Sequence, residues 1–326
     1  MRVLVTGGCG FIGSAVVNRL VRELDVVDVI DDLSNGSLEN LDCQFGTVLP
    51  VLLGRYPKQA QENRALVVTG DFACQEILAR VKSGMYDTIY HLAANPRVQF
   101  SVKYPVETNE TNLHKSVALF KTAADSDTRI VFSSSSAIYG APKKLPTTEE
   151  CDKNPASPYG LQKYLCEQYL ELFANLYNLD AVSLRYMNAY GPKALGSSPY
   201  STAIAAWCQA LKDGKPLRSD GDGEQTRDMV YIDDIVQANY LAGRYNKKLK
   251  AESVNVATGK AYSNNQILKM LNKHIGDLNI ECAPKRKGDV RDTLGDTKRA
   301  EDILDFKTET SLKLGLKKTL EWWGLI

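Results

Sequence analysis

The chain of 326 residues is long enough for one large domain or two ordinary ones, and with 44% hydrophobic and 24% charged residues it has the composition of a globular protein with a real core. Forty basic against 39 acidic residues leave a net charge of +1, so there is no basic field for nucleic acid and no acidic tail; an anionic ligand must be held by local groups. No apolar run approaches the roughly 18 residues a membrane span requires. The opening Met1-Arg2-Val3-Leu4-Val5-Thr6-Gly7 reads as strand and turn rather than a signal peptide. A cytoplasmic protein without nucleic-acid or membrane partners is expected. The seven cysteines form no C-x-x-C pair and the three histidines have no metal-ligand spacing, so reduced thiols and no metal are expected.

In chain order, Val3–Thr6 reads as a strand, Phe11–Arg22 as a helix with apolar residues at Ile12, Val16, Val17, Leu20 and Val21, and Val26–Ile30 as a second strand. The stretch from Gly36 to Arg64 reads as a surface insertion. Leu66–Val68, Thr88–Leu92 and Ile130–Ser133 follow as strands, with a helix over Thr108–Ala124. Continuous apolar strands separated by helices predict a doubly wound parallel sheet. After Arg185 the glycines and prolines become frequent, as in a smaller, loop-rich region, with strands at Met229–Ile232 and Ser253–Val256 and a closing helix at Ser311–Trp322. The expected organisation is a dinucleotide-binding α/β domain over 1–182, with a return segment near 228–260, and a substrate domain in the rest of 183–326.

Gly7-Gly8-Cys9-Gly10-Phe11-Ile12-Gly13 joins the first strand to the first helix. Missing side chains let the backbone approach a pyrophosphate, and the helix start offers free N–H donors and partial positive charge. Asp31 ends the second strand, where a carboxylate accepts the adenosine ribose hydroxyls and repels a 2′-phosphate; Asp32 adds a second negative charge, and no Arg or Lys lies between Asp31 and Asn40. The expected cofactor is NAD rather than NADP.

Tyr159 and Lys163 stand four apart at the start of a helix introduced by Ser157-Pro158, on one helical face. A tyrosine titrates near pH ~10, and a neighbouring cation favours its phenolate, giving a general base near neutrality. Ser135, 24 residues earlier, lies in the serine run Ser133–Ser136 that ends the fifth strand. Strand C-termini line the ligand crevice of an open parallel sheet, so its hydroxyl is placed to bond the group being interconverted.

The glycine loop, the serine and the Y-x-x-x-K together resemble the extended short-chain dehydrogenase/reductase family over nearly the whole chain. His91-Leu92-Ala93-Ala94 is similar to its strand signature beside the cofactor, Asn112 to an asparagine of the following helix, and Gly70-Asp71-Phe72 to its adenine-contacting turn. Leu184 to Pro192 resembles its L-R-Y-x-N-x-x-G-P element, whose asparagine contacts substrate phosphates. Gly221 to Asp234 resembles the segment whose arginine grips the pyrophosphate, and Gly288-Asp289-Val290-Arg291 is also similar. The resemblance is closest to UDP-glucose and UDP-N-acetylglucosamine 4-epimerases, with Cys9 in place of the loop's usual alanine. It implies catalysis by Ser135, Tyr159 and Lys163. It implies NAD contacts from Gly7, Gly10, Phe11, Ile12, Gly13, Asp31, Asp32, Asn35, Asp71, Phe72, Leu92, Ala93, Ala94, Asn112, Tyr159, Lys163 and Tyr186. For the substrate it implies Ser135, Ser136, Asn188, Arg227, Arg291 and Thr293.

Sugar 4,6-dehydratases of the family resemble one another in carrying an acid just after the catalytic hydroxyl residue; here Ser136 and Ala137 follow, which favours a 4-epimerase over a dehydratase, decarboxylase or reductase. A catalytically silent NAD-binding regulator is the alternative of another class, opposed by the intact Ser135, Tyr159 and Lys163. The resemblance also implies a homodimer through Thr108–Ala124 and Tyr159–Tyr177. At position 293, five after Gly288, related enzymes face the sugar's C2 substituent, and threonine is small enough to admit an acetamido group. Whether the preferred sugar is a neutral hexose, a hexosamine or a uronate stays open.

Overall fold

The computed structural model describes residues 1–48, 64–196, 201–285 and 290–326. Its first elements are β1 (Arg2–Thr6), α1 (Phe11–Arg22), β2 (Val26–Asp31), β3 (Gln44–Val48), β4 (Arg64–Thr69), α2 (Gln75–Lys82) and β5 (Thr88–His91). They are followed by α3 (Val98–Lys103), α4 (Pro105–Asn109), α5 (Lys115–Ala124), β6 (Arg129–Ser135), α6 (Pro158–Tyr177), β7 (Ala181–Tyr186) and β8 (Asn188–Tyr190). The remainder is α7 (Ala203–Lys212), β9 (Leu217–Asp220), β10 (Thr226–Tyr231), α8 (Ile232–Arg244), β11 (Glu252–Val256), β12 (Ala261–Ser263), α9 (Asn264–Ile275), β13 (Ile280–Ala283), α10 (Lys298–Leu304) and α11 (Leu312–Trp323).

Eight strands form one sheet in the order β11-β7-β6-β5-β1-β2-β4-β3, and from β6 to β3 every neighbouring pair is parallel. The central strands are mostly apolar because both faces are covered. Leu4, Ile30, Val68, Ile89 and Phe132 enter one core with Ile77 of α2, Leu119 and Phe120 of α5, and Leu170 of α6. On the other face Val29 and Val17 of α1 crowd the backbone of Gly8. The winding reverses between β1 and β5, so the loops after these strands flank the switch point where α/β sheets bind ligands.

Two expectations are corrected. The segment read as an insertion supplies strand β3, paired in register with β4, Phe45 against Ala65; residues 49–63 lie outside the described residues. Its beginning braces the glycine loop, since Ser37 N and Asn40 Nδ2 both donate to Cys9 O, at 3.0 and 2.8 Å. The helix expected over Thr108–Ala124 is interrupted by a π turn at Glu110–His114. There the Asn112 carbonyl accepts from Ser116 Oγ at 2.9 Å and Cys166 Sγ at 3.1 Å. Such bulges re-aim side chains at functional sites.

The chain divides into two compact units. The first comprises Met1–Ser135, Ser157–Arg185 and Val236–Val254; the second comprises Ser136–Ala156, Tyr186–Ile235 and Asn255–Ile326. Ser136–Ala156 joins the second because Thr147 exchanges backbone bonds with Leu294 and Asp296, and Asn255 Nδ2 donates to Thr147 O. The return segment is tied into the first by Arg129. Its guanidinium caps the end of α8 through the carbonyls of Ala242, Gly243 and Tyr245 and pairs with Asp180. Among the described residues no helix is long and apolar enough to cross a membrane.

Candidate active site

In the first unit the glycine loop is shaped for close approach. Gly7 has φ +69°, and a Cβ there would stand 2.7 Å from Ala93 N; a Cβ on Gly13 would stand 2.0 Å from Gly7 O. The loop therefore lies bare against the β5 loop. The first-turn N–H groups of Phe11, Ile12 and Gly13 lack intrahelical partners, as at any helix start, which suits a diphosphate.

Asp31 is buried, and its carboxylate accepts Cys9 N and Leu33 N, both at 2.8 Å. Burial raises its pKa and the two N–H bonds counter that rise. Each oxygen keeps a second lone pair for a ribose hydroxyl. Asp32 is exposed and accepts Ser34 N, while Asn35 donates to Ser34 Oγ. Asp71 is paired with Lys115 at 2.6 Å.

Two expected cofactor contacts change character. The ring of Phe72 is buried in the core, edge-on to His91 at 5.0 Å, so only its backbone is left for an adenine. Asn112 is buried with its Oδ1 accepting Asn95 N and its Nδ2 donating to Asn95 O and Gln162 Oε1. Through these bonds it shapes the loop after β5.

A directed hydrogen-bond chain runs beneath that loop. Ser116 Oγ gives its proton to Asn112 O, so it accepts from His91 Nε2; His91 Nδ1 therefore accepts the Thr6 hydroxyl, at 2.7 Å, and Thr6 Oγ1 accepts Ala93 N at 3.1 Å. The direction requires a neutral imidazole. Burial, with the nearby Lys163 cation, lowers the His91 pKa to about 3. This chain fixes the backbone of Leu92, Ala93 and Ala94 beside the glycine loop. The sequence places His91 in the strand signature but does not show its partners.

The three residues expected to carry the chemistry, Ser135, Tyr159 and Lys163, come together within the same unit. Ser157 caps α6 by accepting Gly160 N, Pro158 occupies the first turn, and Ser101 Oγ accepts Tyr159 N. The Tyr159 phenol shares a side-chain hydrogen bond with Ser135. Lys163, 2% exposed, donates to Ser133 O at 2.6 Å and lies 4.6 Å from the Phe132 ring centroid and 6.0 Å from that of Tyr159. Burial raises the phenol to about 12, against the Ser135 bond. Burial lowers the ammonium to about 8, against Cys166 and Glu167. Glu167, one helical turn beyond Lys163, is held by the Arg185 guanidinium at 2.7 Å and by the Ser134 hydroxyl at 2.5 Å. Its spacing from Lys163 was readable in the sequence; its partnership with Arg185 was not.

The second unit holds Ser136, Asn188, Arg227, Arg291 and Thr293 of the expected substrate residues, and Tyr186 of the expected cofactor contacts. Ser136 opens a 3-10 turn and Tyr186 ends β7, buried. Arg227 Nη1 donates to Thr226 O and Arg291 O, and Arg291, half exposed, pairs with Asp222 at 2.8 Å. An exposed pair is weak in water, so a phosphate can displace Asp222. Gly288 and Asp289 lie outside the described residues. Both amide hydrogens of Asn188 go to protein oxygens, Asp228 O and Thr293 Oγ1. Asp228, which the sequence reading passed over, is fully buried and accepts from Thr258 N, Thr258 Oγ1, Gly259 N and Gly295 N.

The sequence model of the NAD dependent epimerase/dehydratase family matches residues 3–257. The UDP-glucose 4-epimerase of Mycolicibacterium smegmatis is 34% identical over 328 residues, covering 99% of this chain and 98% of its own length. The UDP-glucose 4-epimerase of Thermotoga maritima, solved with UDP-glucose, superimposes with a TM-score of 0.88 at 36% identity, covering 99% of both chains. The UDP-N-acetylglucosamine 4-epimerase of Methanobrevibacter ruminantium M1, in complex with UDP-N-acetylmuramic acid, superimposes with a TM-score of 0.86 at 32% identity, covering 99% of this chain and 97% of that one.

The geometry predicts that Tyr159→Phe and Lys163→Ala each reduce turnover of the NAD-linked reaction by about 100-fold or more while the fold is kept. Steady-state rates alongside circular dichroism check this. A Tyr159→Phe protein with near-wild-type turnover would remove the phenol from the base role.

Proposed function

The chain belongs to the NAD dependent epimerase/dehydratase family, and we propose that it interconverts UDP-hexoses at C4. The observation that carries the choice of reaction is the state of the carboxylate behind the site. Glu167 is buried, clamped by Arg185 and bonded by Ser134, and Ser136 and Ala137 follow Ser135. No acid stands in the position from which a dehydratase removes water. What remains is a base, a hydroxyl and a cation, which suffice for reversible oxidation and reduction at one carbon.

In this reading the glycine loop and Asp31 hold NAD in the first unit, and Arg227 and Arg291 hold the UDP diphosphate in the second. Bound NAD supplies a hydride acceptor that later returns the hydride. Tyr159, as phenolate, takes the C4 hydroxyl proton while Ser135 bonds the same oxygen. Lys163 stabilises the phenolate by its charge. After the 4-keto sugar turns over, Tyr159 returns the proton to O4, so neither NADH nor a second product accumulates. A catalytically silent NAD-binding protein would not need this intact set. The C2 range is supported by the small side chain of Thr293 and by the similarity to a UDP-N-acetylglucosamine 4-epimerase. Because the Thr293 hydroxyl also anchors Asn188, Thr293→Tyr would change more than pocket size, so the range is read on the wild-type protein.

We also infer a homodimer. The outer face of α6 exposes Leu161, Leu172 and Leu176, and beside it in the same unit Val102 and Val106 are exposed, the latter by 83%. The neighbouring apolar side chains come from α3 and α4, because Leu119, Phe120 and Ala123 of α5 are spent on the core. Full burial of an exposed apolar side chain gains about 1.5–3 kcal/mol, and these, already partly buried, gain roughly half to most of that; a two-fold pair of such faces buries them reciprocally.

Incubation with UDP-glucose and UDP-N-acetylglucosamine is expected to yield UDP-galactose and UDP-N-acetylgalactosamine with no net absorbance of NADH. A 4-keto-6-deoxy product would replace the epimerase reading by a dehydratase, and no conversion of the acetamido sugar would confine the range to plain hexoses. Light scattering at micromolar concentration is expected to give twice the 36.1 kDa chain mass, and Leu172→Glu with Val106→Glu a single one. A wild-type monomer would refute the pairing.

A further inference from the structure

Tyr159, Lys163 and Glu167 follow one another at four-residue steps along α6 and so form one stripe on its inner face. Each meets the end of β6. The Tyr159 phenol bonds Ser135, Lys163 Nζ donates to Ser133 O, and Glu167 Oε1 accepts the Ser134 hydroxyl. Three successive residues of one strand thus engage three successive turns of one helix. The first two contacts belong to the reacting groups, and the third ties strand to helix between them.

Glu167 is fixed from its other side as well. Arg185 of β7 donates to Glu167 Oε1 through Nε at 3.0 Å and to Oε2 through Nη2 at 2.7 Å. Because β7 neighbours β6 in the sheet, one carboxylate is held by two adjacent strands. Ser134, Glu167 and Arg185 are all buried. Desolvation offsets much of the attraction in such a pair, and apolar side chains of similar volume often fill the same space without loss of stability. What apolar side chains lack is direction, which a two-point guanidinium–carboxylate pair and a hydroxyl supply. Around the pair stand the Lys163 ammonium, the Cys166 thiol, pushed up to about 12 by burial, and the neutral His91.

We propose that Ser134 is a positioning residue: with Glu167 and Arg185 it forms a buckle that sets the end of β6 against α6, so that the Ser133 carbonyl meets Lys163 and the Ser135 hydroxyl meets Tyr159. This rests on the reading of Tyr159 as the base and deepens it. Ser134 acts through the backbone of its two neighbours. Without its hydroxyl the strand end loses this tie to α6, the ammonium and phenol lose alignment, and the phenolate is less well stabilised.

The test is ultraviolet titration of tyrosinate in NAD-loaded protein, with the Tyr159→Phe curve subtracted in each background, alongside kcat and KM for UDP-glucose. Ser134→Ala is expected to move the Tyr159 ionisation to higher pH by about half a unit or more. It is expected to lower kcat about 10-fold, the worth of one hydrogen bond, with KM within about 2-fold of wild type. Ser134→Thr keeps the hydroxyl on a strand-favouring side chain and is expected to restore both values. Glu167→Met with Arg185→Met removes the buckle and leaves the net charge near Tyr159 unchanged. The same upward shift is expected there, so the result does not hang on one variant's folding. An unchanged Tyr159 titration and kcat in Ser134→Ala, whatever its melting temperature, or a shift that Ser134→Thr does not reverse, overturns the positioning role. The titration uses no sugar, so a wild-type protein that leaves UDP-glucose unconverted overturns the UDP-sugar reading alone.

Discussion

An ammonium ion taken out of water must find its compensation in fixed groups, and Lys163 is such an ion. Its Nζ is received by the Ser133 carbonyl and by the face of Phe132, both at the end of β6. Because Lys163 is helical and Ser133 is in the sheet, this bond, with the core packing of Cys166, Leu170 and Phe173, holds α6 against the strand ends. Tyr159, one turn earlier, is brought by the same packing to Ser135. Burial that makes the cation costly also strengthens its action on the phenol, since a low local dielectric weakens screening.

The neighbouring polar groups are arranged so that no second free charge competes with that cation. His91 is held neutral by burial and by the Lys163 charge itself, and is held in one tautomer by Thr6 and Ser116. Glu167 is matched by Arg185, so the pair adds no net charge. A buried pair of this kind is weak evidence for stability, because desolvation offsets much of the attraction; its service here is to occupy a carboxylate that would otherwise be an acid or base beside the reacting centre. In the second unit Asp228 plays the corresponding organising part, with four donors on one buried carboxylate.

The parts legible in the sequence are those with local spacing. β1, the glycine loop and α1 lie within 22 residues, and the Tyr159–Lys163 pair needs only helical periodicity. The parts that escaped depend on partners far along the chain. Thr6 meets His91 across 85 residues, and Arg129 reaches Tyr245 across 116. No pattern in either segment announces these bonds. β3 escaped because Gln44, Gly46 and Thr47 make a weak strand pattern that pairing with β4 overrides. The side chain of Phe72 was not legible either. Its position beside Asp71 matched an adenine-contacting turn, but an aromatic ring next to a buried His91 gains more from the core. The direction of the Asn188 amide was not legible, since it depends on what its nitrogen meets.

The account rests on Lys163 acting on the Tyr159 phenol. The most direct measurement is ultraviolet difference titration of tyrosinate in NAD-loaded protein, with the Tyr159→Phe curve subtracted to isolate one phenol, repeated in a Lys163→Met background. Burial pushes this phenol up to about 12, against the Ser135 bond. The predicted result is that Tyr159 ionises about one pH unit or more lower with Lys163 present than with methionine in its place. Coincident titration curves in the two backgrounds would contradict it.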